Sequence, residues 1–342
     1  MKGRTIVITS GKGGVGKTTA TANIGTGLAM RGHRVVVVDT DIGLRNLDVI
    51  MGLENRIVYD LVNVIEGDCK LNQAMIADKH DYELYLIPAA QTRDKNSISP
   101  EQLREMCEEL EKEFDYVLID CPAGIEQGFK NATAAAQEAI IVTTPEVSAI
   151  RDADRVIGLL ESSGLHRPKL IINRIAYEMV KRGDMMDQKD VESLLAVEVI
   201  GLVPADEHTV VAANRGIPVV HNSKSAAGGA FLRIAARVDG EEVPLMDLEP
   251  KTGLFSRFKG MVGMSGRAYS HAGTTTLALQ YQRQRIGPGH RDALQRHGQT
   301  TAQACFDPRP AGTGPGEVGG DEERDMGSGL QVHGRRRRLH GI

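Results

Sequence analysis

The sequence predicts an α/β fold with a mostly parallel central sheet covered by helices on both faces. Short β-branched runs alternate with helix-length segments along residues 1–264, which is typical of right-handed βαβ units with parallel strands. The runs are apolar throughout, and this indicates strands that are buried on both faces. A glycine-rich stretch also joins the first run to a helix.

Seven strands and six helices are predicted from these patterns. The strands lie at 5–9, 34–38, 83–87, 116–119, 139–143, 169–172 and 198–202. The helices lie at 17–31, 100–113, 149–163, 187–195, 206–214 and 225–237. The second helix has the clearest start, because Ser99 suits the N-cap, Pro100 the first helical position, and Gln102 completes a capping box.

The stretch GKGGVGKTT, residues 11–19, matches the pattern G-x-x-x-x-G-K-[ST]. In this pattern backbone N–H groups surround the nucleotide phosphates, Lys17 reaches the β/γ-phosphates and the Thr18 hydroxyl binds Mg²⁺. The following helix adds its dipole and free N–H groups. A glycine-rich surface turn is the alternative, but the flanking strand and helix favour the phosphate loop. The predicted nucleotide-binding residues here are Gly11, Lys12, Gly13, Gly14, Val15, Gly16, Lys17, Thr18 and Thr19.

Polar residues follow three other predicted strands. Asp39 and Asp41 come at the end of the second strand, Asp120 follows the fourth and Asn173 the sixth. Ligands of parallel sheets bind at the carboxyl ends of the strands, so these side chains are expected near the loop. A carboxylate there can hold Mg²⁺ through its water shell, and Asn173 could contact a nucleobase edge. Each residue alone could be a turn former or a cap, whereas together they predict one Mg²⁺–nucleotide site.

Composition excludes several classes of protein. The four cysteines, Cys69, Cys107, Cys121 and Cys305, are scattered without a C-x-x-C pair. This spacing argues against a disulfide framework, a Cys₄ metal site and an iron–sulfur carrier, and it favours a reducing cytosol. No uncharged run of 18 apolar residues is present, so no membrane-spanning segment is expected.

Charge and composition change near residue 264. Residues 1–264 carry 30 basic and 38 acidic side chains, a net charge of −8, whereas residues 265–342 carry 11 arginines and 7 acidic residues, a net charge of +4. The second region is rich in Gly, Gln, His, Arg and Pro, and we expect it to be mostly disordered. The run Arg335–Arg338 could be a localisation or nucleic-acid patch. We favour the alternative, a translated extension without a selected function.

The segment GLFSRFKGMVG, which begins at Gly253, predicts a short amphipathic helix. Its apolar side holds Leu254, Phe255, Phe258, Met261 and Val262, and its polar side includes Arg257 and Lys259. A basic helix with bulky apolar residues on one side is typical of an interfacial membrane anchor. The alternative is a terminal helix packed on its own domain. The preceding linker, 239–252, is acidic and contains two prolines, which favours a tether.

Five segments resemble the MinD family of deviant Walker-A ATPases, a group that includes ParA and the nitrogenase iron protein. They are KGGVGKTT, DTDIGLRNLD, LIDCPAGIE, TTPEVSAIRDADR and GLFSRFKGMVG. The resemblance covers residue 1 to about residue 264. It implies an ATPase that dimerises with ATP on the inner face of the cell membrane. It also implies that the dimer positions the division septum by recruiting a division inhibitor, and leaves the membrane on hydrolysis.

The resemblance implies roles for individual residues. Lys12 contacts the partner's phosphates across an ATP-bound dimer, so Lys12, Lys17 and Asp41 are the predicted catalytic residues. Asp41 orients the attacking water, Asp39 lies near Mg²⁺ and Asp120 holds a Mg²⁺-bound water. Spacing alone would let Asp39 and Asp41 exchange roles. Two nucleotides that face each other across a dimer would repel. A cation from each subunit would offset this repulsion, which would explain physically why the loop has a second lysine, Lys12.

The resemblance also implies an adenine pocket and two protein partners. Pro204 and Asp206 would edge the adenine beside Asn173. A MinC-like division inhibitor and a MinE-like activator would share a surface. Its predicted residues are Arg151, Asp152 and Asp154. The charges alone are equally consistent with a solvated helix face.

The expected organisation is an ATPase domain over 1–238, a linker over 239–252, a membrane-targeting helix over 253–264 and the tail over 265–342. The expected location is the cytoplasm, with peripheral attachment to the inner face of the membrane. Two alternatives remain within the family, a ParA-type DNA partition ATPase and a flagellar-number ATPase. The net charge of −8 over residues 1–264 counts against the first.

Overall fold

Eight strands form one sheet in the computed structural model, which describes residues 2–93 and 97–248. They are β1 (Arg4–Thr9), β2 (Val35–Asp39), β3 (Ile76–Ala77), β4 (Leu84–Ile87), β5 (Tyr116–Asp120), β6 (Glu138–Thr143), β7 (Lys169–Ile175) and β8 (Glu198–Pro204). Their order is β3-β4-β2-β5-β1-β6-β7-β8, and every pair is parallel except β3 with β4. The predicted α/β fold is confirmed.

Helices connect the parallel strands. They are α1 (Lys17–Ala29), α2 (Leu47–Met51), α3 (Leu61–Glu66), α4 (Leu71–Ala74), α5 (Pro100–Leu110), α6 (Gln127–Ala135), α7 (Val147–Ser162), α8 (Tyr177–Arg182), α9 (Gln188–Leu195), α10 (Glu207–Asn214) and α11 (Ala226–Val238). Short 3₁₀ turns lie at Glu54–Arg56 and Val219–His221.

The seven predicted strands and six predicted helices are present, each with its ends shifted by a few residues. The capping box of α5 also forms, because Gln102 N–H donates to Ser99 Oγ at 3.2 Å and Ser99 N–H donates to Gln102 Oε1 at 2.9 Å. The sequence patterns missed β3 and the helices α2, α3, α4, α6 and α8. Most of these are too short for a helical or strand periodicity to develop.

The sheet has a separate apolar core on each face. Val36 and Val38 of β2 belong to one core, whereas Val35 and Val37 belong to the other. Successive side chains of a strand point to opposite faces, so an all-valine strand contributes to both cores. Helices α1 and α11 cover one face, and α5, α6, α7 and α9 cover the other.

Helix α1 is buried nearly all around, between the sheet and α11. Two glycines make this possible. A Cβ atom on Gly25 would lie 2.7 Å from Val37 Cγ1, and one on Gly27 would lie 2.8 Å from the Cβ of Ala235 in α11. Any side chain at either position would force the layers apart. The helix that begins at the phosphate loop is therefore held firmly against the core.

The first ten residues of the predicted linker lie against the domain, which differs from the expected tether. Arg31 forms ion pairs with Asp239 at 2.9 Å and with Glu241. Leu245 packs on one core and Met246 on the other, so apolar burial holds this segment down. The predicted membrane-targeting helix and the tail lie outside the described residues. No helix within 2–93 and 97–248 is long and apolar enough to cross a membrane.

Candidate nucleotide site

The predicted phosphate loop joins β1 to α1 and depends on its glycines. Gly14 and Gly16 have φ angles of 75° and 101°, in the left-handed region that favours glycine. Gly16 is also the N-cap of α1. A Cβ atom on Gly11 would lie 2.3 Å from the carbonyl oxygen of Asp152, so α7 packs directly against the start of the loop. The loop is thus shaped to direct N–H groups toward an anion at the start of α1.

A cavity of about 770 Å³ opens above the loop, which is ample for a nucleoside triphosphate. Loop residues from Gly13 to Thr19 form one wall, and Asp41 with α2 forms another. Arg174 and residues 213–216 close the far side. The sequence patterns missed Arg174, Arg215 and Lys79 in this lining, because a lone basic residue after a strand or helix carries no distinctive signal.

The predicted convergence of acidic strand ends is confirmed. Asp39 and Asp120 are paired across β2 and β5, and both are almost fully buried beside the loop. The Thr21 hydroxyl donates to Asp120 Oδ1 at 3.2 Å, and the nearby Thr18 hydroxyl acts to lower the pKa of this carboxyl group. Lys17 is buried close enough to stabilise the charged form of Asp120. These side chains therefore form one compact cluster under the cavity.

The protein only partly compensates the negative charge that Asp39 and Asp120 would carry if both were ionised. Burial, followed by the charge of Asp120, raises the pKa of Asp39 to about 8. Burial also raises the pKa of Asp120 to about 6, although Lys17 and the two threonine hydroxyls act in the opposite direction. A divalent cation would relieve this repulsion, and oxygen ligands suit Mg²⁺. Thr18, Asp39 and Asp120 thus fit the metal role predicted for them.

The structure also separates Asp39 from Asp41, which spacing alone left interchangeable. Asp39 Oδ1 accepts the N–H of Asp41 at 2.9 Å, and Oδ2 accepts those of Asn46 and Leu47 at 3.4 and 3.3 Å. The Asp39 side chain therefore holds the loop that carries Asp41. Asp41 itself lines the cavity. This arrangement favours Asp41 as the residue that faces substrate and water.

We expect Asp120→Asn to stabilise the nucleotide-free protein while weakening Mg²⁺-dependent nucleotide binding. The raised pKa means that the folded state keeps its proton more tightly than the unfolded state. Ionisation therefore costs folding free energy as pH rises from about 4 to about 6, and the full cost remains above that range. Denaturant unfolding at pH 7.5 should show a gain of about 1–3 kcal/mol. The gain should vanish below about pH 4, and an equal gain at both pH values would contradict the electrostatic explanation.

The second lysine of the loop lies outside the cavity. Lys12 Nζ is 3.3 Å from Glu146 Oε2 and 3.1 Å from Ser148 Oγ, at the start of α7. It is partly exposed and does not line the cavity with Lys17. Glu146 and Ser148 belong to the segment TTPEVSAIRDADR, which carries part of the family resemblance. The sequence did not predict that this segment would contact Lys12. Lys12 is therefore positioned to act outside its own phosphate site.

Asn173 lies beneath the loop. Its Nδ2 donates to Val15 O at 2.8 Å, and a Cβ atom on Gly16 would lie 2.3 Å from this nitrogen. Its Oδ1 accepts the N–H of Arg174 at 2.9 Å. Both polar atoms of the amide thus support the loop and the end of β7. Contact of Asn173 with adenine stays a prediction.

Asp206 joins α10 to α11. Its carboxylate accepts the His208 N–H at 2.9 Å, the Ser225 hydroxyl at 2.6 Å and the Ala227 N–H at 3.1 Å. Burial raises its pKa, but these hydrogen bonds outweigh that effect and lower the pKa of Asp206 to about 2. Pro204 ends β8 just before this junction. Pro204 and Asp206 do not line the cavity, whereas Arg174 and residues 213–216 do. Contact of Pro204 and Asp206 with adenine therefore also stays a prediction.

The predicted partner surface lies on α7, directly beside the phosphate loop. Arg151 is exposed, whereas Asp152 and Asp154 are partly buried. The same helix holds Lys12 at its first turn and abuts Gly11 at Asp152. A change in the loop would therefore reach this surface through direct contacts.

Comparison with known proteins supports the same interpretation. Residues 3–163 match the family model described as an AAA domain. The septum site-determining protein MinD of Bacillus subtilis is 55% identical over 265 residues, which cover 77% of this chain and 99% of that protein.

Two solved structures are also similar. The MinC:MinD cell division protein complex of Aquifex aeolicus contains a chain with 50% identity and a TM-score of 0.68, covering 71% of this chain and 99% of that one. MinD of Pyrococcus horikoshii, solved with Mg-ADP, has 32% identity and a TM-score of 0.64, covering 69% and 96%. By sequence identity across nearly the whole length of its relatives, this chain belongs to the MinD family of septum site-determining proteins.

Proposed function

We propose that this chain is a membrane-associating ATPase that dimerises with ATP and positions the division septum by recruiting a division inhibitor. The proposal rests on one observation: the two lysines of the phosphate loop lie in different places. Lys17 lies in the phosphate site with the buried carboxylates, whereas Lys12 lies outside it. One lysine serves the chain's own nucleotide, and the other is available to a second subunit.

The chain is an ATPase with ATP and Mg²⁺ as its cofactors. Mg²⁺ neutralises charge on the phosphates when bound. Lys17 and the backbone N–H groups of the loop would bind and orient the phosphates. Thr18, Asp39 and Asp120 would hold the metal, and Asp41 would orient the attacking water. Hydrolysis of this kind needs positioning more than a strong base, which suits a carboxylate held by the loop after β2.

Dimerisation makes the nucleotide a part of the subunit interface. Two ATP molecules that face each other would repel, and Lys12 from each subunit would offset that charge. To do so, Lys12 must break its contacts with Glu146 and Ser148. These contacts lie at the surface and are therefore weak. Hydrolysis then removes the γ-phosphate from the interface and weakens the dimer.

The dimer would offer its α7 surface to protein partners. A relative from Aquifex aeolicus has been solved in a MinC:MinD complex. Helix α7 contacts the loop at Gly11 and Lys12, so a MinC-like inhibitor could distinguish the ATP-bound state there. A MinE-like activator, competing for Arg151, Asp152 and Asp154, would accelerate hydrolysis and end the cycle.

The membrane step would use the predicted amphipathic helix at 253–264. One short helix binds a bilayer weakly, whereas two on one dimer gain avidity through effective concentration. ATP would then control attachment to the inner face of the cell membrane, and the chain would otherwise be cytoplasmic. The positively charged side of the helix would favour anionic lipid.

We expect Phe258→Glu to abolish ATP-dependent sedimentation with anionic liposomes and to leave ATP binding and dimerisation intact. Each bulky apolar side chain that enters the headgroup boundary contributes about 1–2 kcal/mol before ordering costs, and a buried carboxylate reverses that contribution. Ser256→Glu on the polar side is the matched control and should lose far less. Equal sedimentation of Phe258→Glu and the parent in ATP would show that the helix is not a membrane anchor.

Truncation after Met264 tests the tail in the same assay. Stronger lipid binding would mean that the tail interferes, and unchanged binding would mean that it takes no part. A parallel DNA-binding assay separates the septum-site proposal from a ParA-type function. ATP-dependent binding to DNA without binding to lipid would favour the partition alternative.

A further inference from the structure

A second cavity, of about 450 Å³, is lined by a different set of residues from the nucleotide site. It lies between the segment from α3 to β3 and the end of α5, and we call it the α5 groove. Leu110 and Phe114 in this groove are buried members of one of the two apolar cores, and Val64, Leu71 and Met75 pack on that core while staying partly exposed. The groove is therefore large and apolar enough to receive side chains of another segment.

The rim of the α5 groove is acidic. Glu109 and Glu113 are exposed at the end of α5, and within residues 2–93 and 97–248 neither carboxylate has an ion-pair partner. Lys70 is the one basic residue among the described residues that line the groove. Burial, followed by the charges of Asp68 and Asp60, raises the pKa of the Cys69 thiol in the same groove. An occupant with both apolar and basic side chains would complement this surface.

The chain itself contains a segment with these two properties. Residues 253–264 carry bulky apolar side chains that include Phe255 and Phe258, and the basic residues Arg257 and Lys259 lie among them. The same composition that suits an anionic bilayer also suits an apolar groove with an acidic rim.

The described part of the chain ends within reach of the α5 groove. Leu248, its last residue, packs on the core to which the groove belongs. Phe114 precedes β5, and Pro244 lines a pocket together with Lys169 at the start of β7. Only β1 and β6 separate β5 from β7, so these strand starts are about 14 Å apart. The chain from Leu248 to Gly253 can span about 17 Å when extended.

We propose that residues 253–264 dock in the α5 groove when the chain is off the membrane, with their basic side chains beside Glu109 and Glu113. The inference deepens the proposed membrane step, because it supplies a cover for the anchor in the absence of lipid. The groove and the bilayer bind the same apolar side chains, so docking and membrane attachment exclude each other. The groove therefore lowers the affinity for lipid by the fraction of anchors that it holds.

The Cys69 thiol reports whether the groove is covered. Cys69 is partly exposed, whereas Cys107 and Cys121 are buried. Its modification by a maleimide is measured on the full chain without lipid and located by peptide mass spectrometry. Phe255→Ala combined with Phe258→Ala should raise the rate about tenfold, because the docked state loses apolar contacts.

Ser256→Ala is the matched control on the polar side of the same segment, and Cys69 in this variant should react at the parental rate. Equal rates in the parent and in the variant that lacks Phe255 and Phe258 would overturn the inference.

Charge reversal at the rim tests the groove from its other side. Glu109→Lys combined with Glu113→Lys should expose Cys69. In ADP it should also tighten binding to vesicles of equal parts phosphatidylcholine and phosphatidylglycerol severalfold, because more anchors are released. Glu105→Lys combined with Glu108→Lys makes the same change of charge at exposed positions of α5 outside the groove. Equal lipid binding by the two pairs would show general attraction to anionic lipid and would refute docking.

A charge swap identifies the occupant. Arg257→Glu combined with Lys259→Glu should expose Cys69, and adding both rim lysines to this variant should restore its protection. No restored protection would show that another segment or nothing occupies the groove. If the parent fails to bind the vesicles in ATP, the proposed membrane step fails, whereas the protection of Cys69 still decides whether the segment docks.

Discussion

Asp41→Ala is expected to bind ATP normally and to hydrolyse it about 10²-fold more slowly or worse. Asp41 lines the cavity at the end of a loop whose conformation depends on Asp39, not on the Asp41 side chain. Removing the carboxylate therefore removes a positioned contact to water and leaves the loop in place. Loss of one well-placed group of this kind typically costs 10²–10⁴ in rate.

Single-turnover phosphate release, together with light scattering for the dimer, measures this effect. The variant should accumulate as the ATP-bound dimer, because the step that weakens the interface is blocked. Asp115→Ala provides a control, since this exposed aspartate precedes β5 at the opposite end of the strands. Phosphate release at the parental rate by Asp41→Ala would remove Asp41 from the mechanism.

Lys12→Ala is expected to abolish ATP-dependent dimers while leaving nucleotide binding measurable. Among the described residues, the Lys12 ammonium contacts Glu146 and Ser148 of its own subunit, and both contacts are at the surface. Its loss should therefore change folding stability by less than about 1 kcal/mol. Across a dimer the same charge would offset the repulsion between two nucleotides, and its removal would leave that repulsion uncompensated. Dimer affinity should fall at least tenfold.

Size-exclusion chromatography with light scattering in ATP and in ADP decides the question. Lys17→Ala should behave differently, because it lies inside the phosphate site and its loss should weaken nucleotide binding itself. Arg34→Ala removes a comparable surface ion pair, with Glu83 at 3.4 Å, at the far end of β2, and should dimerise as the parent does. Normal ATP-dependent dimers of Lys12→Ala would refute the cross-subunit role.

The local sequence determined the helices and strands that have a clear hydrophobic pattern. It also determined the phosphate loop, whose glycines, lysine and threonine have a fixed spacing. All-apolar strands such as β2 are readable because both faces of a parallel sheet are buried, so no polar residue interrupts them. The glycine pattern of the loop is readable because Gly14 and Gly16 need conformations that other residues resist. Asp39 and Asp120 were predictable since parallel strands end at one edge, and the register pairs them directly.

Only the tertiary structure decided contacts that depend on distant segments meeting. Lys12 and Glu146 are 134 residues apart, and Asn173 and Val15 are 158 apart. The packing of Leu245 and Met246 on the two cores could not be predicted from the sequence. Their segment is acidic and contains prolines, which is also the composition of a free tether. The direction of Arg174 depends on a bulge that arises from how β7 pairs with β8. Local patterns record what one segment prefers, whereas these features follow from which segments pack together.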